Sequence, residues 1–457
     1  MIDRVSVVGL GKLGACMAAA MASRGMQVTG VDVNSSTVDA INSNRAPVVE
    51  PELAEYIAAN HGRLRATTDF QEAVRASGLT FIIVPTPSDE AGGFSIRYAA
   101  QAAREIGRAL RAKKDYHLVA LTSTVLPGAT EFGILPLIEE ESGKKCGRDF
   151  GVCYNPEFIA LGSVIHDLLH PDFVLIGEHD ERAGTELESW YKSFTLNSAT
   201  VMRMNLVNAE LVKISINTFV TMKITFANML AAVCEELPGA DVDAVSKAIG
   251  HDSRIGRKYL TGGLGYGGPC FPRDNKALSS MATALGAPAA LAEATDRMNH
   301  LLLNRQAQRI EELLKPGMTV GLLGLAYKPN TNVVEESQGL MLAQKLADAG
   351  HVVAVYDPLA MENAHVVLKD SVQYMNSALE CLRSADVVVI AQPCEEFRSL
   401  RAADFPVHKQ RVLVFDCWRV LASELRDCSW VQYVAVGVGR DDQARARRVE
   451  AQRAGAL

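Results

Sequence analysis

A single cysteine follows a glycine-rich segment just past the middle of the chain, where residues 261–274 read TGGLGYGGPCFPRD. Five glycines fall within the seven residues 262–268, which excludes a helix or strand interior because glycine adds conformational entropy to the unfolded chain. We expect a loop whose bare backbone lies close to a ligand. Cys270, with the Asp274 carboxylate four residues on, is a candidate nucleophile. A glycine-rich connector with a buried, inert cysteine is an equally good interpretation of this segment alone.

Two polar residues interrupt the long apolar stretch at 204–236, which is predicted to be one helix. Lys213 and Asn217 are four positions apart and therefore share a helix face. Inside an apolar helix both side chains need partners. Either the lysine extends its ammonium group to the surface beside a satisfied amide, or the pair faces a substrate and the lysine stabilises a developing oxyanion.

The N-terminus carries a dinucleotide-binding fingerprint in its full context. The sequence GLGKLG at 9–14 follows a predicted strand at 5–8 and opens a helix, and a second strand at 27–31 ends on an acidic residue. The glycines permit a tight turn, close approach of a pyrophosphate and helix–strand packing, while the acid binds a ribose diol and disfavours NADP. We predict NAD as cofactor, held by Gly9, Gly11, Lys12, Leu13, Gly14 and Asp32.

Polar residues follow the next predicted strands of this unit. Thr86 follows a strand at 80–84, Thr124 a strand at 117–121, and Glu157 a strand at 152–153. Ligands of doubly wound folds lie at the carboxyl ends of strands, so these side chains are expected on the nicotinamide side of the cleft. Either threonine taken singly is better explained as a cap or turn residue.

The alternation of strands and helices predicts an α/β fold with two Rossmann-like, doubly wound domains, joined by a long central helix and a helical middle domain. We place an NAD-binding domain at 1–203, a central dimerisation and catalytic domain at 204–303, and a nucleotide-sugar-binding domain at 304–457. The last lacks a complete glycine fingerprint, so we expect a nucleotide other than a second NAD. The final residues 440–457 are expected to form an exposed helix or frayed tail.

Composition excludes several classes of protein. The 457 residues are 48% hydrophobic and 22% charged, which is ordinary for a soluble globular protein. A net charge of −7 without an internal basic block argues against nucleic acid. The nine scattered cysteines contain no CxxC pair and no zinc spacing, so we expect reduced thiols, no metal and a cytoplasmic location. No signal peptide and no membrane-spanning apolar run are expected.

Together the motifs resemble those of the nucleotide-sugar 6-dehydrogenase family over nearly the whole chain. The GYGGPCFPRD segment at 265–274 is the most specific of them. The others are the fingerprint, PTP at 85–87, TSTV at 122–125, NPEF at 155–158, the Lys213/Asn217 helix, RIG at 254–256 and GLAYKPNT at 324–331.

The resemblance implies a four-electron oxidation in which the C6 alcohol of a nucleotide sugar becomes a carboxylate at the expense of two NAD. Cys270 would form a thiohemiacetal and then a thioester. Lys213 and Asn217 would stabilise oxyanions, and Asp274 would position or activate water. Thr124 and Glu157 would assist water or proton transfer.

The resemblance also implies the substrate contacts and a homodimer or larger homo-oligomer. Arg254 matches a family arginine that reaches the substrate from a partner subunit. The implied substrate contacts are Glu157, Phe158, Lys213, Asn217, Arg254, Tyr259, Gly265, Tyr266, Gly267 and Lys328.

Three departures from the family pattern bear on the substrate. A carboxylate often assigned to water activation is replaced by Leu161. Glu335 stands where an arginine that helps bind NAD is common. The family's Asp-Gly-Arg is here Asp416-Cys417-Trp418-Arg419, so that Trp418 takes the arginine position and Arg419 is a possible substitute.

UDP-glucose or a related UDP-hexose is the favoured substrate, with GDP-mannose or a UDP-N-acetylhexosamine as alternatives. A two-electron dehydrogenase of the 3-hydroxyacid type would share the N-terminal domain and the helical middle but would not need Cys270. A non-catalytic nucleotide-binding or scaffolding protein is a third hypothesis, disfavoured by the intact set of Lys213, Asn217, Cys270 and Asp274.

Overall fold

The structure is a computed structural model that describes residues 2–406 and 412–439. The chain forms two compact units, the first from residues up to Ile216 with 280–286, the second from 217–279 and from 287 onward. The tail predicted at 440–457 lies outside the described residues.

The first unit is built on an eight-stranded sheet in the order β3-β2-β1-β4-β5-β6-β7-β8. All neighbours are parallel except β6 and β7, which are antiparallel. The order reverses between β1 and β4, where a doubly wound sheet opens a ligand crevice at its carboxyl edge. The strands are β1 Arg4–Val8, β2 Gln27–Val31, β3 Leu64–Thr67, β4 Leu79–Ile82, β5 His117–Leu121, β6 Phe150–Tyr154, β7 Phe173–Glu178 and β8 Thr200–Asn205.

Helices cover the first sheet, so its central strands are buried on both faces and mostly apolar, with Ser6, Thr80 and His117 as buried polar residues. The first helix, α1, is rich in alanine, and every residue from Gly14 to Ala22 is buried, because only small side chains let a helix pack this closely. The helices are α1 Lys12–Ser23, α2 Ser35–Asn42, α3 Leu53–Ala59, α4 Phe70–Ala76, α5 Arg97–Leu110, α6 Leu135–Ser142, α7 Val164–Leu169 and α8 Glu181–Phe194, with a π-helix at Ala129–Ile134.

The second unit repeats this architecture on a smaller, fully parallel sheet in the order β11-β10-β9-β12-β13-β14. Two Rossmann-like sheets in one α/β chain confirm the predicted fold class. The strands are β9 Thr319–Leu323, β10 Val352–Tyr356, β11 Gln373–Tyr374, β12 Val387–Ile390, β13 Val412–Asp416 and β14 Val431–Ala435. The helices are α10 Val242–Gly250, α12 Ala290–Glu311, α13 Gln338–Asp348, α14 Met361–Leu368, α15 Ala378–Ser384, α16 Glu395–Arg398 and α17 Ala422–Leu425, with 3-10 turns at Lys369–Ser371 and Ala402–Asp404.

Two further helices, α9 and α11, contain three of the predicted catalytic residues, which are Lys213, Asn217 and Asp274. The long apolar stretch forms α9, Leu206–Glu236, and α11 spans Phe271–Ala284. The prediction that residues 261–274 are a loop throughout is therefore wrong at its end, because the segment after Cys270 is already helical.

By length and composition alone α9 is apolar enough to cross a membrane, which corrects the expectation that no stretch would be. Its polar residues nevertheless bond within the protein. Glu210 accepts hydrogen bonds from the backbone nitrogens of Gly128 at 2.5 Å and Thr130 at 2.8 Å. Asn228 bonds the backbone at Gly263 and Leu264. Such partners are typical of a helix in a protein core.

A buried carboxylate joins three parts of the second unit. The side chain of Glu235, at the end of α9, is 2% exposed. It accepts from Arg309 at 2.5 Å, from Arg305 at 3.1 Å and from the backbone nitrogen of Gly437 at 2.9 Å. The two arginines lie on α12, and Gly437 follows β14. This one side chain therefore ties α9 to α12 and to the end of the sheet.

We predict that Glu235→Ala lowers the free energy of unfolding by about 3–5 kcal/mol, because it removes the buried carboxylate that bonds the Arg309 guanidinium, which is 13% exposed, and the backbone of Gly437. Urea denaturation measures the change. Glu236→Ala is the matched control, since Glu236 also pairs with Arg305 but is largely exposed, and exposed pairs contribute about 0–1 kcal/mol. Equal losses in the two variants would show that the buried cluster has no special role.

Candidate active site

The turn between β1 and α1 has the backbone that a dinucleotide needs. Gly9 has a φ of +95°, and a Cβ on it would lie 2.1 Å from the carbonyl oxygen of Ile83. A Cβ on Gly14 would lie 1.9 Å from the carbonyl oxygen of Gly9, so side chains are excluded at both positions. A Cβ on Gly11 would meet nothing within 4 Å. The turn is therefore packed on the protein side and open at Gly11, where a pyrophosphate would approach.

The acid after β2 is held in place beside this turn. Asp32 accepts a hydrogen bond from the backbone nitrogen of Leu10 at 2.8 Å and one from Asn34 at 2.9 Å. The start of α1, which includes Lys12 and Leu13, has no side-chain cap, so its first amides remain available to an anion. These residues fit NAD, which would place its ribose against Asp32 and its pyrophosphate at the helix start.

The loops after β4 and β5 are bonded to each other. Thr86 donates its hydroxyl to the carbonyl oxygen of Thr124 at 2.7 Å. Ser123 donates to the carbonyl oxygen of Val84 at 2.7 Å and accepts from its nitrogen at 2.9 Å. The structure therefore brings Thr86 and Thr124 together at the carboxyl edge of the first sheet.

Glu157 follows β6 and is partly buried beside Tyr191 and Lys213. Burial raises the pKa of its carboxyl to about 7, although a hydrogen bond donated by the Tyr191 hydroxyl at 2.8 Å and the nearby Lys213 ammonium oppose the rise. The Tyr191 hydroxyl also lies 2.6 Å from Asn155, which fixes its position. A carboxyl that titrates near neutral pH can both accept and return a proton.

Lys213, on α9, is bound to the same segment. Its ammonium group donates to the carbonyl oxygen of Glu157 at 2.6 Å and lies 4.9 Å from the centre of the Phe158 ring. Phe158 in turn stacks on Phe173 with ring centres 4.8 Å apart. Lys213, Glu157 and Phe158 thus form one cluster within the first unit.

Leu161, at the position of the missing acid, packs against the hydrophobic core of the first unit. The following backbone is held by Glu50, whose carboxylate accepts from the nitrogens of Gly162 at 2.6 Å and Val164 at 3.2 Å. Neither Glu50 nor Tyr191 was predicted from the sequence. Both act on residues more than thirty positions away, and no local pattern signals such a contact.

Cys270 is the only exposed cysteine of the nine, since six are buried and Cys146 and Cys428 are intermediate. It directly precedes α11, and its carbonyl oxygen accepts from the Asp274 nitrogen at 2.8 Å in the first turn. The positive end of a helix dipole favours negative charge at this position. Location and access therefore both suit a nucleophilic thiol.

Asp274 lies one turn into α11 and is bonded to the predicted asparagine. Its side chain is 1% exposed and accepts from the Asn217 amide at 2.6 Å. The guanidinium of Arg273 lies 3.7 Å from its other oxygen. The structure thus joins Asn217 and Asp274 within the second unit, on the helix that Cys270 precedes.

The glycines before Cys270 are required by packing of the loop on the protein itself. A Cβ on Gly265 would lie 2.0 Å from the side-chain oxygen of Asn299, and one on Gly267 would lie 2.1 Å from the carbonyl oxygen of Glu336. Asn299 bonds both backbone groups of Tyr266, at 3.1 and 3.0 Å. The Tyr266 ring is buried, and its hydroxyl bonds Asp296. These contacts hold the loop rigidly; substrate contacts by Gly265, Tyr266 and Gly267 stay predictions.

Three other predicted substrate contacts lie elsewhere in the second unit. Arg254 is highly exposed and forms a bidentate pair with Asp252 at 2.9 and 2.6 Å. Tyr259 is half exposed in a left-handed conformation with φ of +66°. The ammonium group of Lys328 lies 5.9 Å from the centre of the Tyr327 ring.

The second unit reproduces the glycine turn of the first with a longer loop. A Cβ on Gly339 would lie 2.2 Å from the carbonyl oxygen of Gly324, as at Gly14 and Gly9, but the two glycines are fifteen residues apart rather than five. Asp357, after β10, is buried and accepts from Leu325 and Ala326. Each oxygen of Asp357 accepts from two backbone nitrogens, whereas each oxygen of Asp32 accepts from one, so Asp357 is less available to a ribose diol than Asp32.

The Arg419 guanidinium is fully engaged by protein groups. It forms a bidentate pair with Asp243 at 2.7 and 3.0 Å and donates to the carbonyl oxygen of Gly262 at 2.7 Å. Trp418 donates its indole nitrogen to Ala391 at 2.9 Å, and its ring fills the space beside Gly263. The idea that Arg419 takes over the ligand contact of the family arginine therefore finds no support.

These two units define a NAD-dependent dehydrogenase with a cofactor turn in one unit and an accessible thiol in the other. Family models for the UDP-glucose/GDP-mannose dehydrogenases match three consecutive segments: the NAD binding domain at residues 3–195, the central domain at 207–301 and the UDP binding domain at 321–423.

Individual relatives agree with the family models. The chain is 36% identical over 418 residues to the UDP-glucose 6-dehydrogenase AglM of Haloferax volcanii, covering 90% of this chain and 95% of that one. It is 36% identical over 414 residues to the GDP-mannose 6-dehydrogenase of Pseudomonas aeruginosa, covering 87% and 93%. A UDP-glucose dehydrogenase structure from Pyrobaculum islandicum matches with a TM-score of 0.86 at 38% identity, covering 96% and 98%.

The chain therefore belongs to the UDP-glucose/GDP-mannose dehydrogenase family and is an NAD-dependent nucleotide-sugar 6-dehydrogenase. The predicted class of enzyme, its cofactor and its class of substrate are confirmed.

We predict that the Glu157 carboxyl titrates near pH 7 and that Tyr191→Phe raises this midpoint. The hydroxyl stabilises the ionised form, so its loss favours the protonated form and moves the midpoint up by about one to two pH units, as a hydrogen bond to charge contributes about 1.5–3 kcal/mol. Carbon-13 NMR of labelled glutamate carboxyls measures it, with Glu157→Gln assigning the resonance. Tyr98→Phe, at an exposed tyrosine on α5, is the control. A midpoint near 4.5 would contradict the effect of burial.

Proposed function

We propose that the enzyme carries out both oxidations of C6 through a covalent intermediate on Cys270, converting a nucleotide sugar to its uronic acid. The observation that carries the proposal is the exposed thiol at the start of α11, one turn ahead of Asp274, whose buried carboxylate accepts from the partly buried Asn217 amide. Bound NAD accepts one hydride from C6 in each oxidation. One alcohol, two NAD and one water become one carboxylate, two NADH and three protons.

The proposed reaction passes through an aldehyde and a thioester. The first oxidation removes the O6 proton and leaves an aldehyde. Attack by the Cys270 sulfur forms a C–S bond, and the thiol proton goes to the former carbonyl oxygen. Removal of the second hydride, together with loss of the proton from that hydroxyl group, gives a thioester. Water then adds to C6, the C–S bond breaks, and the leaving thiolate regains a proton.

Glu157 is the proposed base for the hydroxyl proton and for the water, in place of the carboxylate that Leu161 lacks. A carboxyl with a pKa near 7 is matched to proton transfer at neutral pH. Thr124 is proposed to orient the water. Lys213 and Asn217, which are one turn apart on α9, are proposed to stabilise negative charge on the C6 oxygen. Asp274 orients the Asn217 amide.

UDP-glucose is the proposed substrate, supported by the UDP binding domain model and by the similarity to UDP-glucose dehydrogenases. Lys328, Arg254, Tyr259 and the backbone at Gly265–Gly267 are the proposed sugar and nucleotide contacts. The similarity to GDP-mannose 6-dehydrogenases is equally high in sequence, so a panel of UDP- and GDP-sugars is the direct test. NADH formation and product mass identify the substrate; turnover of GDP-mannose alone would replace the proposal.

We predict that Cys270→Ala forms no more than one NADH per sugar, because the aldehyde has no nucleophile that leads to a thioester. NADH absorbance at limiting sugar, with product mass, measures the stoichiometry. Cys428→Ala is the matched control and should retain two NADH per sugar. Two NADH per sugar in Cys270→Ala would exclude the covalent route, and a wild-type yield of one would favour a two-electron dehydrogenase.

We also propose that the enzyme is a homodimer formed through α9. Phe219, Phe226 and Val233 are 59%, 44% and 48% exposed at seven-residue intervals, so they share one face of the helix. Leu237 extends the apolar face and is 45% exposed. A run of large apolar side chains on one face is typical of an interface. Arg254, with its highly exposed side chain, is proposed to reach the partner's substrate.

We predict that Phe226→Glu converts the protein to a monomer of about 49.3 kDa, because it places charge in the apolar face. Analytical ultracentrifugation measures the mass. Val366→Glu, which changes an exposed valine on α14, is the control and should leave the oligomer intact. An unchanged mass in Phe226→Glu would show that this face is not the interface.

A cytoplasmic location is proposed from the cysteines. All nine are free thiols, and none lies in a disulfide. Free cysteines in this number are typical of proteins in a reducing compartment.

A further inference from the structure

A groove opens at the amino-terminal edge of the first sheet, away from the cofactor turn. It has a volume of about 520 Å³, which is in the range of small-molecule sites. Its walls come from the starts of β1, β2 and β3 and from the end of α4. The residues that matter are Arg4, Gln27, His61, Arg63, Arg65 and Ser77.

The groove is strongly basic. Arg4 begins β1, while Arg63 and Arg65 lie around the start of β3, and all three side chains are exposed. Arg65 pairs with Glu72 at 2.5 Å. The guanidiniums of Arg4 and Arg63 have no carboxylate partner among the described residues. Two uncompensated guanidiniums therefore face one cavity.

A cation also lies behind the wall of the groove. The ammonium group of Lys113 donates to the carbonyl oxygens of Val74 and Ser77, and Ser77 lines the groove. The Ser77 hydroxyl lies 3.0 Å from that of Ser6, which lies 2.7 Å from Thr80. Of these hydroxyl residues Ser77 lines the groove, while Ser6 and Thr80 are buried behind it, and the Lys113 ammonium group bonds the Ser77 carbonyl oxygen.

Interaction with the C-termini of helices α3 and α4 does not by itself explain the arginines of the groove. The helices α3 and α4 end near the groove, and the carbonyl groups of a helix C-terminus attract cations. Lys113 already bonds the carbonyls of Val74 and Ser77 at the end of α4. Arg4 lies on a strand and is not in the last turn of either helix. Arg4 and Arg63 therefore remain available to an external anion.

We propose that this groove is a second ligand site, which binds a small phosphorylated anion. Guanidinium groups pair with phosphate oxygens in a bidentate manner, and the volume holds more than one phosphate. The lining has no tryptophan, tyrosine or phenylalanine on which a base could stack, so a compact polyphosphate or sugar phosphate fits better than a nucleoside.

The site is separate from the cofactor turn because strands β1 and β2 run between them. The fingerprint follows the carboxyl end of β1, whereas the groove is at its first residues, about 17 Å away along a five-residue strand. Anion binding here is therefore compatible with bound NAD. The proposal does not rest on the proposed substrate or on Cys270.

Calorimetric titration of the full-length protein with inorganic tripolyphosphate, at saturating NAD, tests the proposal. Saturating NAD blocks the pyrophosphate position at the fingerprint. We expect one bound tripolyphosphate per chain, with affinity lowered at least about tenfold by Arg4→Gln and by Arg63→Gln, since each removes charge-assisted hydrogen bonds. Arg104→Gln, at an arginine outside the groove, should bind as the wild type does.

Each alternative result overturns the proposal. No binding at saturating NAD, with binding in its absence, would place the anion at the fingerprint. Equal affinity in Arg4→Gln, Arg63→Gln and Arg104→Gln would indicate unspecific attraction to the surface. Far-ultraviolet circular dichroism and NAD affinity show whether each variant is folded, and variants at exposed arginines are expected to retain both.

Discussion

The position of the Cys270 thiol depends on hydrogen bonds between the backbone of the glycine-rich loop before it and side chains of the same unit. Asn228 bonds the backbone at Gly263 and Leu264, Asn299 bonds both backbone groups of Tyr266, and Gln338 donates to the Tyr266 carbonyl oxygen at 3.1 Å. A segment so rich in glycine would otherwise sample many conformations. Side chains from three separate helices bond the loop backbone and remove that freedom. As a result, α11 starts at a fixed place directly after Cys270.

The same hydrogen bonds also determine the position of the acid and the amide near the thiol, of which Asp274 is buried and Asn217 is partly buried. Asp274 is in the first turn of α11, so fixing the helix start also fixes the Asn217–Asp274 bond. In the first unit the corresponding role belongs to Tyr191 and Glu50, which hold the Glu157 carboxyl and the chain after it. Both clusters consist of a reactive group and a partner that determines its orientation.

Much of the fold could be predicted because apolar strands and helix periods are local signals. Predicted strands at 27–31 and 117–121 have the observed bounds, since each is a short, largely apolar run between turn residues. Strands β7 and β8 were not predicted, and β8 is only half-buried with alternating polar residues. The start of α11 was also missed, because proline at 272 and the preceding glycines resemble loop sequence although proline is tolerated in a first helical turn.

Residues of the candidate site could be predicted where their own side chains can take part in a reaction. They could not be predicted where they only hold other residues in position. Cys270, Asp274 and Lys213 are unusual in their local sequence, whereas Asn228, Asn299 and Tyr191 are ordinary residues within helices. Their importance arises from tertiary contacts. The loop glycines were assigned to ligand approach, yet at 265 and 267 the space for a side chain is filled by Asn299 and Glu336.

The contrast between Cys270 and the other eight cysteines has a practical consequence. Burial raises the pKa of Cys16, Cys146 and Cys381 to about 12, so these thiols stay protonated and poorly reactive at neutral pH. Cys270 is consequently the preferred position for chemical labelling of the protein. A mild electrophile, a fluorophore or a cross-linker is expected to react at Cys270 in preference to the buried cysteines, and removal of the partly exposed Cys428 would make the attachment specific. A nucleotide sugar that covers the Cys270 thiol would slow the attachment.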